Sequence, residues 1–215
     1  MKYIFLFLFS LAFGIALILL YGKWMSRQDN PQLLVPTSGK KFTAFSLENA
    51  PSMTIKGKIA SLSGDVEWES RVATTPAKLT KPISVQQGEL LRTNDNGNIL
   101  IQFSDIFSIS MFPLSELNII QTLPTNFVFL QNKGTAEYIK TGSAPLGIRC
   151  LHLLISQNTG DIIVTADKIR PIITVIVKNG SAVIGFNDLQ SNTNIETILG
   201  GQTFIFNDEK RIKTL

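Results

Sequence analysis

From Thr54 onward, short apolar stretches alternate with glycine, asparagine, aspartate and proline about every 8–12 residues, a spacing typical of β-strands and turns. Ile99, Ile101 and Phe103 occupy alternate positions, as expected of a strand with one buried face. An amphipathic helix would instead place apolar residues at a 3.6-residue period, and no such stripe appears in this part of the chain. The sequence therefore predicts an all-β domain.

The segment Ile172–Val177 is apolar at nearly every position. This pattern predicts a strand covered on both faces, in a sandwich, a roll or a stacked β-helix. Residues typical of turns separate the predicted strands, and we expect the chain to reverse direction at residues 95–97, 132–134, 158–161, 178–181 and 200–201.

Four glycines lie at these predicted reversals or at earlier ones, where a backbone tolerant of positive φ is needed: Gly64, Gly88, Gly134 and Gly180. Ser115 follows a proline, so its hydroxyl can bond the local backbone of a tight corner, with Leu114 and Leu117 returning to the core. We interpret these residues as structural rather than ligand-binding.

Near the amino terminus, residues 3–21 form a run in which 17 of 19 residues are apolar and none is charged. As a helix this run would be about 28 Å long, close to the ~30 Å hydrocarbon core of a bilayer. Bulky residues follow it where signal peptidase requires small ones, and Lys23 and Trp24 suit the membrane interface. We predict an uncleaved transmembrane anchor at 3–21 and a juxtamembrane linker at 22–53.

The charge on the two sides of the anchor does not fix its orientation. Lys2 precedes the run, whereas Lys23 and Arg27 follow it. A long domain can be translocated largely regardless of such charges, so a C-terminal domain outside the cytoplasm is allowed but not required.

The residue inventory excludes most site chemistries. The chain has one histidine and one cysteine, whereas a structural zinc site needs about four such ligands and a disulfide needs two cysteines. It contains no glycine-rich phosphate loop and no G-x-S-x-G elbow. Residues 51–215 hold 15 basic and 14 acidic side chains, which does not indicate nucleic-acid binding. We predict no enzyme activity, no catalytic residue, no cofactor and no metal.

Two local clusters could suggest chemistry. Cys150 and His152 are two positions apart and would share one face of a strand, but their neighbours are apolar. We interpret them as a buried thiol and a structural histidine. Glu67 and Glu69 are interpreted as a solvated strand face.

An ordered series of motifs carries a family resemblance. It begins with Ser63-Gly64-Asp65-Val66 and continues with Gly88–Thr93, Ile99–Asp105 and Ile109–Leu117. Looser matches follow at 133–135, 175–180 and 199–202. The run 59–206 resembles the FecR domain of bacterial envelope proteins, which implies an extracytoplasmic all-β domain at 54–207 and a tail at 208–215. The family's β domain is similar to short right-handed β-helical turns.

The resemblance implies a non-catalytic binding, sensing or scaffold protein, anchored in the bacterial inner membrane with its C-terminal domain in the periplasm. Its partner would be another envelope protein or a cell-wall component. Classical members carry a cytoplasmic segment that controls a sigma factor; only Met1 and Lys2 precede the anchor here, so we do not expect that contact. Exposed binding residues are expected in the turn Asn94–Asn98 and the loop Asn187–Asn194.

The layout of one anchor and one β-rich domain also resembles the LptC-type components of lipopolysaccharide transport. That alternative predicts a β-jelly-roll with a continuous, hollow apolar interior.

Overall fold

The computed structural model describes residues 54–73, 75–167 and 169–214, and in these ranges the chain forms β-strands and no helix. The strands are β1 Gly57–Ser63, β2 Val66–Glu69, β3 Ala77–Lys78, β4 Ser84–Val85, β5 Leu90–Thr93, β6 Asn98–Phe103, β7 Phe107–Met111, β8 Glu116–Leu123, β9 Asn126–Lys140, β10 Leu146–Cys150, β11 Leu153–Asp167, β12 Ile172–Asn187, β13 Thr193–Leu199, β14 Thr203–Asn207 and β15 Ile212–Thr214. The predicted all-β class is confirmed.

The predicted anchor 3–21 and linker 22–53 lie outside the described residues. Within the described ranges, the structure contains no helix with the length and hydropathy needed to cross a bilayer.

The long strands β9, β11 and β12 each change partners halfway along their length. The first half of β9 pairs with β8 and β10, whereas its second half pairs with β7 and β11. Likewise, β12 pairs with β14 before its midpoint and with β13 after it. The strands therefore form one continuous hydrogen-bonded sheet, open at its edges, that folds into two layers.

The first layer has the order β4-β1-β6-β7-β9-β11-β12-β14-β15. The second has the order β3-β2-β5-β8-β9-β10-β11-β12-β13. Neighbouring strands are antiparallel except for β9 and β10. This antiparallel pairing corresponds to the roll or sandwich of the sequence-based prediction and not to a stacked β-helix, whose strands are parallel.

Glycines mark the three points where long strands pass from one layer to the other. Gly134, Gly160 and Gly180 have φ values of 81°, 81° and 78°, a region that favours glycine. The prediction that the chain reverses at 132–134, 158–161 and 178–181 is therefore wrong. These residues lie inside continuous strands instead. Their positive φ bends the strand, and the halves on both sides of the bend remain paired with neighbouring strands.

The remaining predictions about turns agree with the structure. A backbone bond from Gly97 N to Asn94 O closes the turn between β5 and β6, and residues 200–202 connect β13 to β14. Gly64 and Gly88 have positive φ, as predicted.

The core lies between the two layers and is filled by aromatic rings. Phe103 and Phe107 of the first layer pack against Phe127 and Phe129 of the second, with centroids 4.8–6.0 Å apart. Farther along, Phe186 packs against Phe206 at 4.8 Å. Burial alternates along the strands, so each layer buries one face.

The prediction that Ile172–Val177 is covered on both faces is wrong. Ile173, Val175 and Val177 are fully buried, but Ile172 and Ile176 are 38% and 37% exposed on the outer face. β-Branched residues are favoured on either face of a strand. A continuous apolar run therefore does not by itself indicate that both faces are buried.

The boundary of the domain also differs from the prediction. Residues 208–214, which the sequence assigned to a tail, form a turn and strand β15, and β15 pairs with β14. The sheet therefore extends to Thr214.

Candidate docking surface

The turn Asn94–Asn98, one of the two predicted binding segments, is engaged within the fold. Asn94 Nδ2 donates to Asp65 Oδ2 at 2.9 Å, and Asn96 Oδ1 accepts from the Asp65 backbone N–H at 2.9 Å. Lys78 Nζ lies 2.8 Å from Asp65, and its hydrogen bond is the main reason that the pKa of this carboxyl is lowered. These bonds connect the start of β2, the end of β3 and the end of β5, so the turn contributes to the stability of the fold.

The loop Asn187–Asn194, the other predicted segment, is held by one carboxylate. Asp188 Oδ1 accepts backbone N–H bonds from Gln190 and Asn192 at 2.9 and 2.8 Å. The hydrogen bonds to this carboxylate, first those from Asn192, lower its pKa. The loop therefore keeps a fixed shape, and it borders the cleft described next.

The cleft is built around His152, in the turn between β10 and β11. Its ring Nδ1 lies 2.9 Å from Asp208 Oδ2, and its backbone N–H donates to Asp208 Oδ1 at 3.0 Å. Asp208 belongs to the turn between β14 and β15, so this contact ties the second layer to the first. About half of the His152 side chain is exposed.

Cys150 does not form a reactive pair with His152. Its side chain is fully buried, and burial, with a smaller contribution from the charge of Asp208, raises the pKa of its thiol to about 12. A thiol in this state is a poor nucleophile because the thiolate is the reactive form. The prediction of a buried thiol is confirmed.

Two arginines line the cleft from different layers. The cleft has a volume of about 260 Å³ and is lined by Arg149, Leu151, His152, Leu153, Leu154, Asn187 and Arg211. Within the described part of the chain, neither Arg149 nor Arg211 forms an ion pair, although six ion pairs between other lysine or arginine and carboxylate side chains are present. The cleft thus presents two guanidinium groups without a carboxylate partner among the described residues.

An apolar hollow of about 300 Å³ continues from the cleft and shares His152, Leu154 and Asn187 with it. Its floor is Gly185, which lies in register between Leu154 and Ile195 on neighbouring strands. The atom nearest to a Cβ built on Gly185 is 3.9 Å away, so crowding does not require glycine there. The missing side chain leaves an open notch between two apolar side chains.

Leu154 and Ile195 are 55% and 69% exposed, high values for large apolar side chains, and they lie on either side of Gly185, on strands β11 and β13. We define the docking surface as Arg149, His152, Leu154, Asn187, Ile195 and Arg211. Clustered apolar groups rimmed by charge are typical of a protein-binding site, and arginine is enriched at the energetic centres of such sites.

Most of this docking surface could not be identified from the sequence. Asn187 belongs to a predicted segment, but Arg149, Leu154 and Ile195 come from three different strands, and exposed apolar residues have the same pattern as core residues. The available signal was Gly185, because a glycine inside a strand often marks a close approach or an open site.

The described residues contain no group of three histidine, cysteine, aspartate or glutamate side chains placed to hold a metal ion. The fold and this surface define a class, a two-layer β module with an exposed apolar and cationic face.

Comparison with known proteins finds similar folds but no matching family. No family model matches the chain, and no curated protein matches it. It is similar to two crystal structures of a "putative anti-sigma factor" from Parabacteroides distasonis ATCC 8503, each with a TM-score of 0.50, at 12% and 11% sequence identity. The match covers 58% of this chain and 57% of that chain, so the chain spans little more than half the length of its neighbour. At this identity the likeness shows the fold.

The aromatic packing between the layers does not favour the LptC-like alternative. That alternative requires a hollow interior open to a lipid chain, whereas Phe103, Phe127, Phe129, Phe204 and Phe206 are fully buried between the layers. The clefts described above are open to solvent at the surface.

Proposed function

We propose that the chain is a FecR-type, non-catalytic binding module of the bacterial cell envelope that recognises another envelope protein through the docking surface. The observation that carries this proposal is the pair Arg149 and Arg211, unpaired within the described residues, in a cleft that also contains the exposed Leu154 and continues to Ile195. Arginine is enriched among the residues that contribute most to binding at protein interfaces.

The positions of the family motifs support the FecR assignment. Gly64 and Gly88 have the positive φ that their motifs suggest, and Ser115 bonds across a corner to Thr135. The solved neighbours have the same kind of fold and are described as anti-sigma factors, a type of regulator. In this proposal the module has a sensing or scaffold role, in which it transmits or organises contacts between envelope proteins.

The proposal places residues 3–21 in the inner membrane and the β domain in the periplasm. Its docking surface would then face envelope proteins. The charge of the two arginines indicates a partner that contributes carboxylates together with an apolar side chain, since opposite charges steer and orient association.

The location is tested by fusing a compartment-sensitive reporter after Leu215 of the full chain. A periplasmic reporter such as alkaline phosphatase is expected to be active, and a fluorescent reporter that matures only in the cytoplasm is expected to be dark. The reverse result contradicts the periplasmic location and, with it, the class of partner.

The binding role is tested by placing a photo-crosslinking amino acid at Leu154 in growing cells, with Val72 as the matched control. Val72 is 86% exposed and follows β2, which several strands of the second layer separate from β11 and β13. We expect one discrete adduct from position 154, absent from position 72 and lost when Arg149→Glu and Arg211→Glu are combined. Identical patterns at both positions would favour a passive tethered domain.

A further inference from the structure

Within the described residues, strand β13 is an edge strand and pairs with β12 alone, from Asn187 opposite Thr193 to Ser181 opposite Leu199, without a break in register. Its sequence, TNIETIL, contains one charged residue, Glu196. Side chains on both faces of this strand are exposed or partly exposed apart from Ile198.

The hydrogen bonds at both ends of β13 fix which backbone groups face outward. Beyond one end, Asp188 N donates to Asn192 O at 3.0 Å, so this pair is bonded within the ladder. At the other end, Leu199 N donates to the side chain of Gln202, away from β12. In an antiparallel ladder, bonded and non-bonded pairs alternate. The bonds at the two ends therefore agree on which residue pairs of β12 and β13 are hydrogen-bonded to each other and which are not.

This alternation assigns the backbone groups of β13 to two sides. Asn194, Glu196 and Ile198 bond to β12, whereas the N–H and C=O groups of Thr193, Ile195 and Thr197 point to the free edge. The described part of the chain supplies no backbone partner to these three residues outside the ladder.

Natural sheets normally protect such an edge with lysine, proline, a bulge or a covering segment. Between Thr193 and Thr197 the strand has none of the first three. Glu196 is engaged by Lys213 of β15, and Gln202 covers only the end at Leu199. The open stretch is therefore five residues long, with a regular register.

We propose that a second copy of this chain adds its own β13 to this edge, antiparallel, with the two-fold axis at Ile195. In this register Ile195 faces Ile195 of the second copy, and Thr193 faces Thr197. Asn194 then lies opposite Glu196, an amide beside a carboxylate. The outward backbone groups exchange about six hydrogen bonds, and the second layers of the two copies form one sheet.

The registers centred on Glu196 and on Thr197 are less favourable on the same criteria. Centring on Glu196 places two like charges opposite each other, which destabilises a strand pair. Centring on Thr197 brings Leu199 into the ladder, but its N–H is already bonded to Gln202. The self-complementary register is the basis for choosing a second copy as the occupant rather than an unrelated peptide.

An interface made from five-residue strands lies well below the roughly 1,200 Å² of a stable complex, so we expect a concentration-dependent dimer. The two sites share Ile195, but this inference goes beyond the proposed function, since it uses the backbone edge of β13, whereas the proposed function rests on the arginines of the cleft. Arg149→Glu is accordingly expected to leave dimerisation unchanged, which separates the two proposals.

The register is tested by oxidative crosslinking of the full chain in detergent. Directly opposed residues have Cα atoms about 5.5 Å apart, within disulfide range, so Ile195→Cys is expected to form a covalent dimer. Thr197→Cys alone is expected to remain monomeric, because its copies lie about 14 Å apart. Mixing Thr193→Cys with Thr197→Cys is expected to give a mixed dimer. The unmodified chain, with its buried Cys150, is the background control.

Sedimentation equilibrium of the Ile195→Lys variant gives a second measurement of dimerisation. Ile169→Lys is the matched control, because Ile169 is 93% exposed and lies between β11 and β12 rather than on β13. We expect at least a tenfold weaker dimer for the first and an unchanged dimer for the second, with both retaining the circular dichroism of the parent. A monomer at all concentrations, or a folded Ile195→Cys protein that does not crosslink, overturns the proposal. The same holds for crosslinks that show only another register. Protection of β13 by residues 22–53 or by a different protein would appear as one of these results.

Discussion

Gln131 Nε2 donates to the carbonyl oxygen of Gly134 at 2.9 Å and so spans the kink at the centre of β9. The same amide donates to Val164 O of β11 at 2.9 Å, and its oxygen accepts from Tyr138 OH at 3.0 Å. The Gln131 side chain is only 1% exposed. A buried side-chain amide thus replaces the ladder bonds that the kink interrupts.

The kink in β11 repeats this arrangement. Gln157 Nε2 donates to Gly160 O, three residues onward, and to Tyr138 O of β9 at 3.0 Å. Both kinks have the sequence Gln-Asn-x-Gly, at residues 131–134 and 157–160. Tyr138 is bonded to both glutamines, which links the two kinks.

Replacing Gln131 by leucine is expected to lower the free energy of unfolding by about 3 kcal/mol, since it removes two buried hydrogen bonds, to Val164 O and from Tyr138 OH, and a partly buried one to Gly134 O. Urea denaturation measures the change. The matched control is Gln102→Leu, because Gln102 is exposed on β6, and it is expected to change stability by less than about 0.5 kcal/mol. Equal losses for the two variants would contradict the bridging role of Gln131.

Replacing Gly180 by alanine is expected to be severely destabilising, by more than about 3 kcal/mol, because it combines an unfavourable φ with a steric clash. The added Cβ would lie 2.2 Å from Thr159 O. Gly201 has a similar φ of 84° but nothing within 4 Å of its Cβ position. Gly201→Ala should therefore cost only about 1 kcal/mol, and thermal unfolding of both variants separates clash from φ strain.

Replacing Ser115 by alanine is expected to cost about 2 kcal/mol. Its hydroxyl accepts from Thr135 N at 2.9 Å and donates to Thr135 O at 2.8 Å, and the residue is 1% exposed. The loss leaves the partly buried N–H of Thr135, in β9, without its partner. Ser110→Ala on the outer face of β7 is the control for urea denaturation, and a comparable loss there would show that the corner bonds contribute little.

The sequence predicted the strands of this fold better than their connections. The alternation of residues such as Ile99, Ile101 and Phe103 follows directly from the burial of one strand face, and it correctly predicts strand β6. A glycine in a segment of turn-forming residues indicates a local positive φ, and Gly134 and Gly180 have it. Whether such a φ reverses the chain or bends it depends on strands far away in sequence, so the sequence could not decide.

The corner at Ser115 shows the same limit. Leu117 is fully buried as predicted, but the prediction for Leu114 is wrong: this residue is 56% exposed and has a φ of 60°. A tight corner places one residue in the left-handed region and turns its side chain outward, and the local sequence does not specify which one. For the docking surface, the strand pairing that joins Leu154 to Ile195 is equally non-local.

The buried thiol of Cys150 predicts a loss of stability at alkaline pH. Burial raises its pKa to about 12 in the folded state, whereas an unfolded cysteine releases its proton near pH 9. Above pH 9 the unfolded chain therefore binds fewer protons than the folded chain, and stability falls as pH rises towards 12. At pH 10.5 this contribution is about 2 kcal/mol. Denaturation in urea at pH 8 and 10.5 should show a smaller loss for Cys150→Ala than for the parent, whereas parallel losses would mean that the thiol does not resist ionisation. Burial and, to a smaller extent, the charge of Cys150 also raise the pKa of Tyr138, so the difference between the two proteins includes this coupling.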